Sequence, residues 1–302
     1  MNGMSRREFV SRTAALAAAG LVPSTGWSAA PGVITRAIPR TGERRPAVGL
    51  GTSRVFDVGD DAARRAAPAE VLHVLVAGGG KIIDTASSYG SAEAIVGDLV
   101  ARAGLRKRVF IATKLEQPDA GELRSSLARL RTAQVDLLQL HNVHDPNQDL
   151  AQFRAWKAAG VCRYVGITST FRGDYAALEA VLRRERPDFL EIDYSLDSRD
   201  AEQRLLPLAA ETMTAVLTAL PFGRGRLFRA VRGKALPDWA REFDAGSWAQ
   251  FFLKFLLGNA TVTAVIPGTA NPAHMADNLG AMRGRLPDAA QRKQMVEFVQ
   301  TL

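Results

Sequence analysis

Short apolar segments alternate with longer amphipathic segments along most of the chain. Each apolar segment has the length of a buried parallel strand, and each longer segment has the length and apolar spacing of a helix. The predicted strands cover 47–52, a run that ends at Asp84, 109–114, a run that ends at His141, 164–168, 189–194, 214–219 and 262–267. The predicted helices cover 61–77, 92–103, 120–131, 150–159, 174–184, 201–211 and 248–257, with one through His274 and Met282 and a last one from Asp288.

The repeated order of strand and helix predicts a single (β/α)8 barrel, the TIM-barrel architecture of the α/β class, over 31–302. A β-hairpin over 33–46 is expected to precede it. The alternative is a doubly wound sheet, which needs a glycine-rich phosphate turn after its first strand. The segment Gly49-Leu50-Gly51-Thr52 lacks the third glycine of such a turn. The glycines at 78–80 precede a strand, as expected for a helix-to-strand loop.

Titratable side chains stand where three of the predicted strands end. These are Asp84, Lys114 and His141, and Tyr89 follows in the loop after Asp84. The carboxyl ends of parallel barrel strands meet at one mouth, where such barrels hold their active sites, so we expect the four side chains to lie together. Taken singly, each has a structural interpretation, such as a buried ion pair for Asp84 and Lys114. As a set, they favour an acid–base site.

The stretch Asp84-Thr85-Ala86-x-x-Tyr89-Gly90-x-x-Glu93, followed by Lys114 and His141, resembles the aldo/keto reductase family over about 48–278. The resemblance implies an oxidoreductase that reduces aldehydes or ketones, or oxidises the alcohol, by hydride transfer from NADP(H) or NAD(H) without a metal. It also implies that Tyr89 is the general acid, that Lys114 and Asp84 tune it, and that His141 orients the carbonyl. A nearby ammonium is expected to lower the pKa of a tyrosine.

The resemblance also assigns residues to the cofactor, and several depart from the usual family pattern. A Ser-Asn pair and a Gln usually hold the nicotinamide carboxamide, whereas this chain has Thr168-Ser169 and Glu191. Phe222 would replace a stacking tyrosine, since Ala219 stands at that place. The usual Lys and Arg for a 2′-phosphate are missing, so the preference between NADPH and NADH stays open. The implied cofactor residues are Gly51, Thr52, Thr168, Ser169, Glu191, Phe222, Gly223, Gly268, Thr269, His274 and Asn278.

Two other functions are compatible with a barrel of this kind. The altered cofactor positions leave open a non-catalytic or regulatory barrel that binds a dinucleotide without turnover. A metal-dependent hydrolase would need His141, His144 and Asp145 together with ligands from other strands. The first strand ends at Gly51-Thr52 without a His-x-His pair, so this hydrolase is disfavoured and no metal site is expected. The loop 223–226 is open to two interpretations, a basic cover over a cofactor pyrophosphate or a solvated loop.

The composition excludes some partners. With 47% hydrophobic and 23% charged residues, the chain of 302 residues has the composition of a globular protein with a large core. Its net charge of +8 includes +2 from the N-terminal segment, and the rest is spread over helix faces without interleaved aromatic residues, so no nucleic-acid partner is expected. Cys162 is the single cysteine, which excludes an internal disulfide and favours a structural role. We expect a monomer that acts on a small-molecule carbonyl substrate.

The N-terminal segment has the pattern of an export signal. Ser5-Arg6-Arg7-Glu8-Phe9-Val10 matches the twin-arginine motif, and a mildly apolar stretch over 13–22 follows. That stretch is too short for a stable membrane span. The sequence therefore predicts a twin-arginine signal peptide over 1–30, a periplasmic or otherwise exported protein, and the twin-arginine export machinery as a partner. A disordered basic tail is the alternative, and the cleavage site near Ser28-Ala29-Ala30 stays open.

Overall fold

Eight parallel strands form the centre of the computed structural model, which describes residues 32–301. The predicted signal peptide over 1–30 lies outside the described residues. A two-stranded hairpin consists of β1 (Thr35–Ala37) and β2 (Arg44–Pro46). The barrel strands are β3 (Leu50–Gly51), β4 (Ile82–Asp84), β5 (Phe110–Leu115), β6 (Val135–Leu140), β7 (Cys162–Ser169), β8 (Phe189–Asp193), β9 (Ala215–Ala219) and β10 (Val262–Val265). Parallel bridges from Val48 to Val265 and from Gly51 to Gly268 close the barrel. The predicted barrel and hairpin are confirmed.

Helices connect the strands and cover the outside of the barrel. They are α1 (Ala62–Ala77), α2 (Ala92–Arg102), α3 (Ala120–Arg129), α4 (Ala151–Ala158), α5 (Tyr175–Glu185), α6 (Leu205–Glu211), α7 (Arg226–Ala230), α8 (Trp248–Leu257), α9 (Pro272–Gly280) and α10 (Ala289–Gln300). Asp61, Asp119, Ser247 and Asp288 begin α1, α3, α8 and α10 by accepting hydrogen bonds from backbone N–H groups of the first turn. None of the helices within 32–301 is long and apolar enough to span a membrane.

The structure differs from the predicted helices in two places. The helix predicted over 201–211 begins only at Leu205, because Asp200–Glu202 form a separate 3-10 turn. The segment after β9 contains the short helix α7, which the sequence pattern did not predict. Left-handed backbone at Arg224 and Gly225 ends one turn and sets the start of α7 at Arg226.

Alternating side chains on the barrel strands divide the core in two. Outward-facing residues pack against the helices, while the inward-facing ones form a separate cluster inside the barrel. Aromatic rings fill much of this interior, with Phe189 centred 5.9 Å from Phe110 and 5.4 Å from Tyr164. Ile38, from the hairpin, joins the same cluster and is fully buried. The barrel is therefore packed with apolar side chains at its lower end, and polar side chains are collected at the carboxyl ends of the strands.

Phe189→Ala is expected to lower the free energy of unfolding by about 3–5 kcal/mol, because it opens a cavity in the packed barrel interior. Urea-induced unfolding followed by circular dichroism measures this change. Phe171→Ala is the matched control, since Phe171 is 53% exposed. The control should change the free energy of unfolding by less than about 0.5 kcal/mol. Equal losses in the two variants would contradict the assignment of Phe189 to the core.

Candidate active site

A cavity of about 650 Å³ lies at the mouth of the barrel where the strands end. It is bounded below by residues at the strand ends and at the sides by the loops that follow them. The predicted residues that line it are Gly51, Thr52, Asp84, Tyr89, His141, Thr168, Glu191, Phe222 and Gly268. The fold thus brings most of the predicted site to one place, from segments that are far apart in the sequence.

Lys114 lies beneath this cavity and is fully buried. Its Nζ donates to Asp84 Oδ1 and Oδ2 at 2.6 and 2.5 Å and to the carbonyl oxygen of Thr85 at 3.0 Å. Glu191 Oε2 lies 3.2 Å from the same nitrogen. Burial disfavours the ammonium form, but Asp84 and Glu191 outweigh it and raise the pKa of Lys114. Lys114 is therefore a permanent cation at neutral pH.

Asp84 and Glu191 approach this cation from different strands, β4 and β8. Burial is the largest influence on Asp84 and raises the pKa of its carboxyl well above the ordinary value. Glu191 raises that pKa further, by its charge and by a hydrogen bond between the two carboxyl groups, while Lys114 opposes both effects. The same oxygen, Glu191 Oε2, also accepts a hydrogen bond of 2.7 Å from Gln139 Nε2. The cluster is a continuous polar layer across the barrel.

Tyr89 comes from the loop between β4 and α2 and lies over Lys114, whose Nζ is 5.3 Å from the centre of the ring. Burial raises the pKa of Tyr89 to about 12, with Asp84 and Glu191 acting in the same direction and Lys114 opposing them. The expectation that the lysine would lower this pKa overall was wrong. The ammonium acts in the expected direction, but desolvation and the two carboxyl groups outweigh it. Tyr89 therefore keeps its proton at neutral pH and is available as an acid.

His141 stands beside Tyr89, with its ring edge-on at 5.9 Å between centres. Its Nδ1 lies 2.5 Å from Glu116 Oε1, and Asn142 Nδ2 donates to Glu116 Oε2 at 3.2 Å. Burial opposes ionisation of Glu116, but hydrogen bonds from Ser88, His141 and Asn142 lower its pKa. An ionised carboxylate only accepts hydrogen bonds, so Nδ1 carries a proton and Nε2 is the ring nitrogen left for a ligand.

The sequence interpretation did not identify Glu116, although it follows Lys114 by two residues. It lies just past the end of β5, next to the strand that carries His141. Burial and Lys114 lower the pKa of His141, whereas Glu116 raises it. Glu116 is thus the group that favours the protonated imidazole in this site. The sequence contained one signal for Glu116, since it is a carboxylate just beyond a strand that already carries the catalytic candidate Lys114.

Not all of the predicted cofactor residues reach the cavity. The Ser169 hydroxyl donates to Asp174 Oδ2 at 2.5 Å and accepts from the Phe171 N–H, so it is engaged outside the cavity. Residues predicted for the far end of the cofactor, Thr269, His274 and Asn278, do not line the cavity either. Thr269 lies in the loop before α9, and His274 and Asn278 lie within that helix. The assignment of these residues to a cofactor stays a prediction.

A second hollow of about 370 Å³ adjoins the first, and Gly223 lines it. Arg224 lines both hollows, and Arg172 and Arg226 belong to the smaller one. Arg226 is held by Asp197, with Nε 2.8 Å from Oδ2. Arg224 has left-handed backbone, with φ of 54°. The basic loop 223–226 therefore faces the cavity system with at least one arginine.

Further residues at the mouth had no signal in the sequence pattern. Arg54, Phe171 and Phe228 line the larger hollow and come from loops or from the short helix α7. Phe171 and Phe228 are exposed, which gives the entrance an apolar character. Among residues 32–301, no group of three or more His, Cys, Asp or Glu side chains is placed to hold a metal ion. Cys162 is buried away from this mouth, at the start of β7, and burial raises the pKa of its thiol to about 12.

Comparisons with known proteins give a consistent result. The model of the aldo/keto reductase family matches residues 47–297. Methylglyoxal reductase YeaE of Escherichia coli is 29% identical over 255 residues, which cover 81% of this chain and 88% of that protein. Morphine 6-dehydrogenase of Pseudomonas putida is 30% identical over 269 residues, which cover 82% of this chain and 86% of that protein. An aldo-keto reductase from Klebsiella pneumoniae, solved with NADPH, has the same fold, with a TM-score of 0.73 and 24% identity over 88% of this chain and 95% of its own.

Glu116→Gln is expected to lower the pKa of His141, because it removes the carboxylate that favours the imidazolium. The titration of the His141 ring protons, followed by NMR, measures the change without a substrate. Asp174→Asn is the matched control, since Asp174 Oδ1 contacts His144 Nδ1 at 2.7 Å instead of His141. It should leave the His141 titration where it is. An unchanged His141 pKa in Glu116→Gln would show that Glu116 does not act on the imidazole.

Proposed function

The chain belongs to the aldo/keto reductase family and is a nicotinamide-dependent oxidoreductase, and we propose that Tyr89 is the acid of its carbonyl reduction. The observation that carries this proposal is the buried contact of Asp84 with Lys114 directly beneath Tyr89, at a cavity that His141 also lines. An aldehyde or ketone that enters this cavity would place its oxygen between Tyr89 and His141.

The residues around the two hollows fit a dinucleotide cofactor. The larger hollow offers the ring of Phe222, packed on Phe228 at 4.8 Å between centres, and the hydroxyl group of Thr168. The smaller hollow offers Arg224 and Arg172, whose guanidinium groups suit a pyrophosphate. Arg172 also contacts Asp200, with Nε 2.8 Å from Oδ2, and Asp193 and Asp197 line the same hollow. The bound cofactor supplies the hydride. The NADPH in the Klebsiella relative supports NADPH here, and the preference over NADH stays open.

The proton transfer follows from the state of each group. As the hydride reaches the carbonyl carbon, the carbonyl oxygen gains negative charge and takes the proton of the Tyr89 hydroxyl. The phenolate that remains lies over the Lys114 ammonium, whose attraction offsets part of the cost of a buried anion. Asp84 keeps Lys114 in place. Burial and Lys114 lower the pKa of His141 overall, and Glu116 opposes them. The neutral ring accepts at Nε2, and the protonated ring donates a hydrogen bond from Nε2 to the carbonyl oxygen.

A barrel that only binds a dinucleotide is less well supported. Such a protein has no need for a tyrosine that keeps its proton above a buried ammonium. The relatives named as a reductase and a dehydrogenase act on methylglyoxal and morphine, and they support a small carbonyl or alcohol as the substrate of this chain. The exposed rings of Phe171 and Phe228 at the entrance favour substrates with an apolar part. A monomeric state stays a prediction.

We also propose that the chain is exported through the twin-arginine pathway. The proposal rests on the motif at 5–10 and on the apolar stretch that follows it. This pathway transports folded proteins, so the barrel would leave the cytoplasm with its site already formed. A reductase outside the cytoplasm lacks a steady supply of reduced cofactor, which favours a cofactor that is held tightly and recycled on the protein.

Tyr89→Phe is expected to lower kcat by about 10²–10⁴-fold, because it removes the proton donor and leaves the ring in place. Steady-state rates with a panel of small aldehydes and ketones, methylglyoxal first, measure the loss. A fluorescence titration with NADPH and NADH should show unchanged cofactor affinity. Tyr164→Phe is the matched control, because that hydroxyl binds Glu43 at the other end of the barrel. Full activity of Tyr89→Phe would remove Tyr89 from the mechanism.

Replacement of Arg6 and Arg7 by lysine in the full-length chain is expected to keep the protein in the cytoplasm, since the pathway reads the arginine pair. Fractionation of cells of a host that has the pathway measures the distribution. Arg12→Lys is the matched control within the same leader and should leave export intact. Equal distribution of the double variant and the control would contradict twin-arginine export.

A further inference from the structure

The polar layer beneath the cavity contains more acidic than basic groups. Asp84, Glu191 and Lys114 are each at most 3% exposed, so water does not compensate their charges. With both carboxyl groups ionised, the layer would carry a net negative charge. Such a charge in a low-dielectric interior costs several kcal/mol, and proteins avoid it by binding a proton.

The contacts show that the two acids share one partner. Both carboxyl oxygens of Asp84 lie within 2.6 Å of Lys114 Nζ, and Glu191 Oε2 lies 3.2 Å from that nitrogen. The carbonyl oxygen of Thr85 accepts a further hydrogen bond from the ammonium. Lys114 has three N–H donors, so it fully satisfies Asp84 and Thr85 and reaches Glu191 only at longer range. Glu191 is the carboxyl group that lacks a full cationic partner.

The side-chain amide of Gln139 also has an acceptor for which no hydrogen-bond donor is available among the described residues. Its Nε2 donates to Glu191 Oε2, while its Oε1 is buried without a hydrogen-bond partner among residues 32–301. Glu191 Oε2 thus takes one neutral donor from Gln139 and lies only at longer range from Lys114. A single added proton on the pair of carboxyl groups would correct the charge of the layer.

We propose that Asp84 and Glu191 share one proton in the folded protein and that Glu191 is a positioning residue, which steadies Lys114 under Tyr89 together with Asp84. The shared proton makes the layer of Asp84, Glu191 and Lys114 neutral. The raised pKa of Asp84 agrees with this arrangement. Glu191 contributes to the raised pKa of Asp84, so the proton is assigned to the pair and not to one carboxyl group. The positioning role rests on the proposed function, whereas the shared proton does not.

The other titratable groups that face the pair are Tyr89, from the loop after β4, and His141, from the end of β6. Loss of the shared proton would place one more negative charge below Tyr89. That charge raises the pKa of Tyr89 further, so the tyrosine becomes a weaker acid. It would also favour the protonated form of His141. Both groups thus depend on the protonation state of the pair.

The pair also affects stability in a predictable direction. In the unfolded chain, both carboxyl groups titrate near pH 4. In the folded protein the shared proton stays bound above that pH, so the folded state binds more protons than the unfolded state. The stability that the protonated pair provides is therefore fully present below about pH 4 and is lost as pH rises through the pKa of the pair.

Glu191→Gln tests the shared proton without cofactor or substrate. Thermal unfolding of the wild type and the variant is compared between about pH 5 and about pH 9. We expect the melting temperature of the variant, relative to the wild type, to rise with pH and to gain roughly 5–10 °C at the alkaline end. Glu297→Gln is the matched control, because Glu297 is an exposed residue of α10, and its difference from the wild type should not change with pH. A constant difference for Glu191→Gln would overturn the proposal.

Infrared spectroscopy of the wild type tests the same proton even if Glu191→Gln does not fold. At neutral pH the spectrum should contain the C=O band of a protonated carboxyl group, with the shift that deuteration causes. Absence of that band would overturn the shared proton.

In rate measurements, the kcat/KM for reduction should fall with rising pH in the wild type and stay level to higher pH in Glu191→Gln. If neither protein shows turnover but both melt as expected, the proposed function is rejected and the shared proton is still supported.

Discussion

The buried ammonium of Lys114 is the constraint on which the upper part of the barrel depends. A charge without partners in such a place costs several kcal/mol, so the fold has to bring acceptors to it from other strands. Asp84 comes from β4, Glu191 from β8 and a carbonyl oxygen from Thr85. These contacts link one side of the barrel to the other. The position of the ammonium is then fixed by the sheet itself instead of by a loop, which keeps it in place under Tyr89.

The lower part of the barrel makes this arrangement possible. The rings of Phe110, Tyr164 and Phe189 fill the interior under the polar layer, and Ile38 covers the end of the barrel. Water therefore reaches the layer only from the cavity side. Gly166 provides the room that the layer needs, because a Cβ atom there would lie 3.0 Å from Gln139 Oε1. The same exclusion of water raises the pKa of Tyr89. The apolar packing beneath the polar layer therefore also affects the acidity of the site.

Sequence patterns predict the parts of this structure that depend on a single strand. A run of apolar residues that stops at a polar one fixes both the end of the strand and the mouth where Asp84, Lys114 and His141 meet. Contacts between long side chains on different strands are not encoded in this way. The pairing of Glu116 with His141, and the diversion of Ser169 to Asp174, depend on rotamers and loop paths that emerge only after the barrel closes. The net pKa of Tyr89 was misjudged for the same reason, since burial is not visible in local sequence.

Tyr89 and His141 divide the proton chemistry because burial acts on them in opposite directions. It raises the pKa of the phenol and lowers that of the imidazole, so both groups favour their neutral forms. Neutral Tyr89 is a donor, whereas neutral His141, with its proton held on Nδ1 by Glu116, presents an acceptor at Nε2. The tyrosine is therefore the only one of the two that can protonate a carbonyl oxygen in the neutral site. Protonation of His141 adds a second donor and favours reduction, while the neutral ring is suited to accept the hydroxyl of an alcohol. The balance between Glu116 and Lys114 around one imidazole thus influences which direction of hydride transfer the site supports.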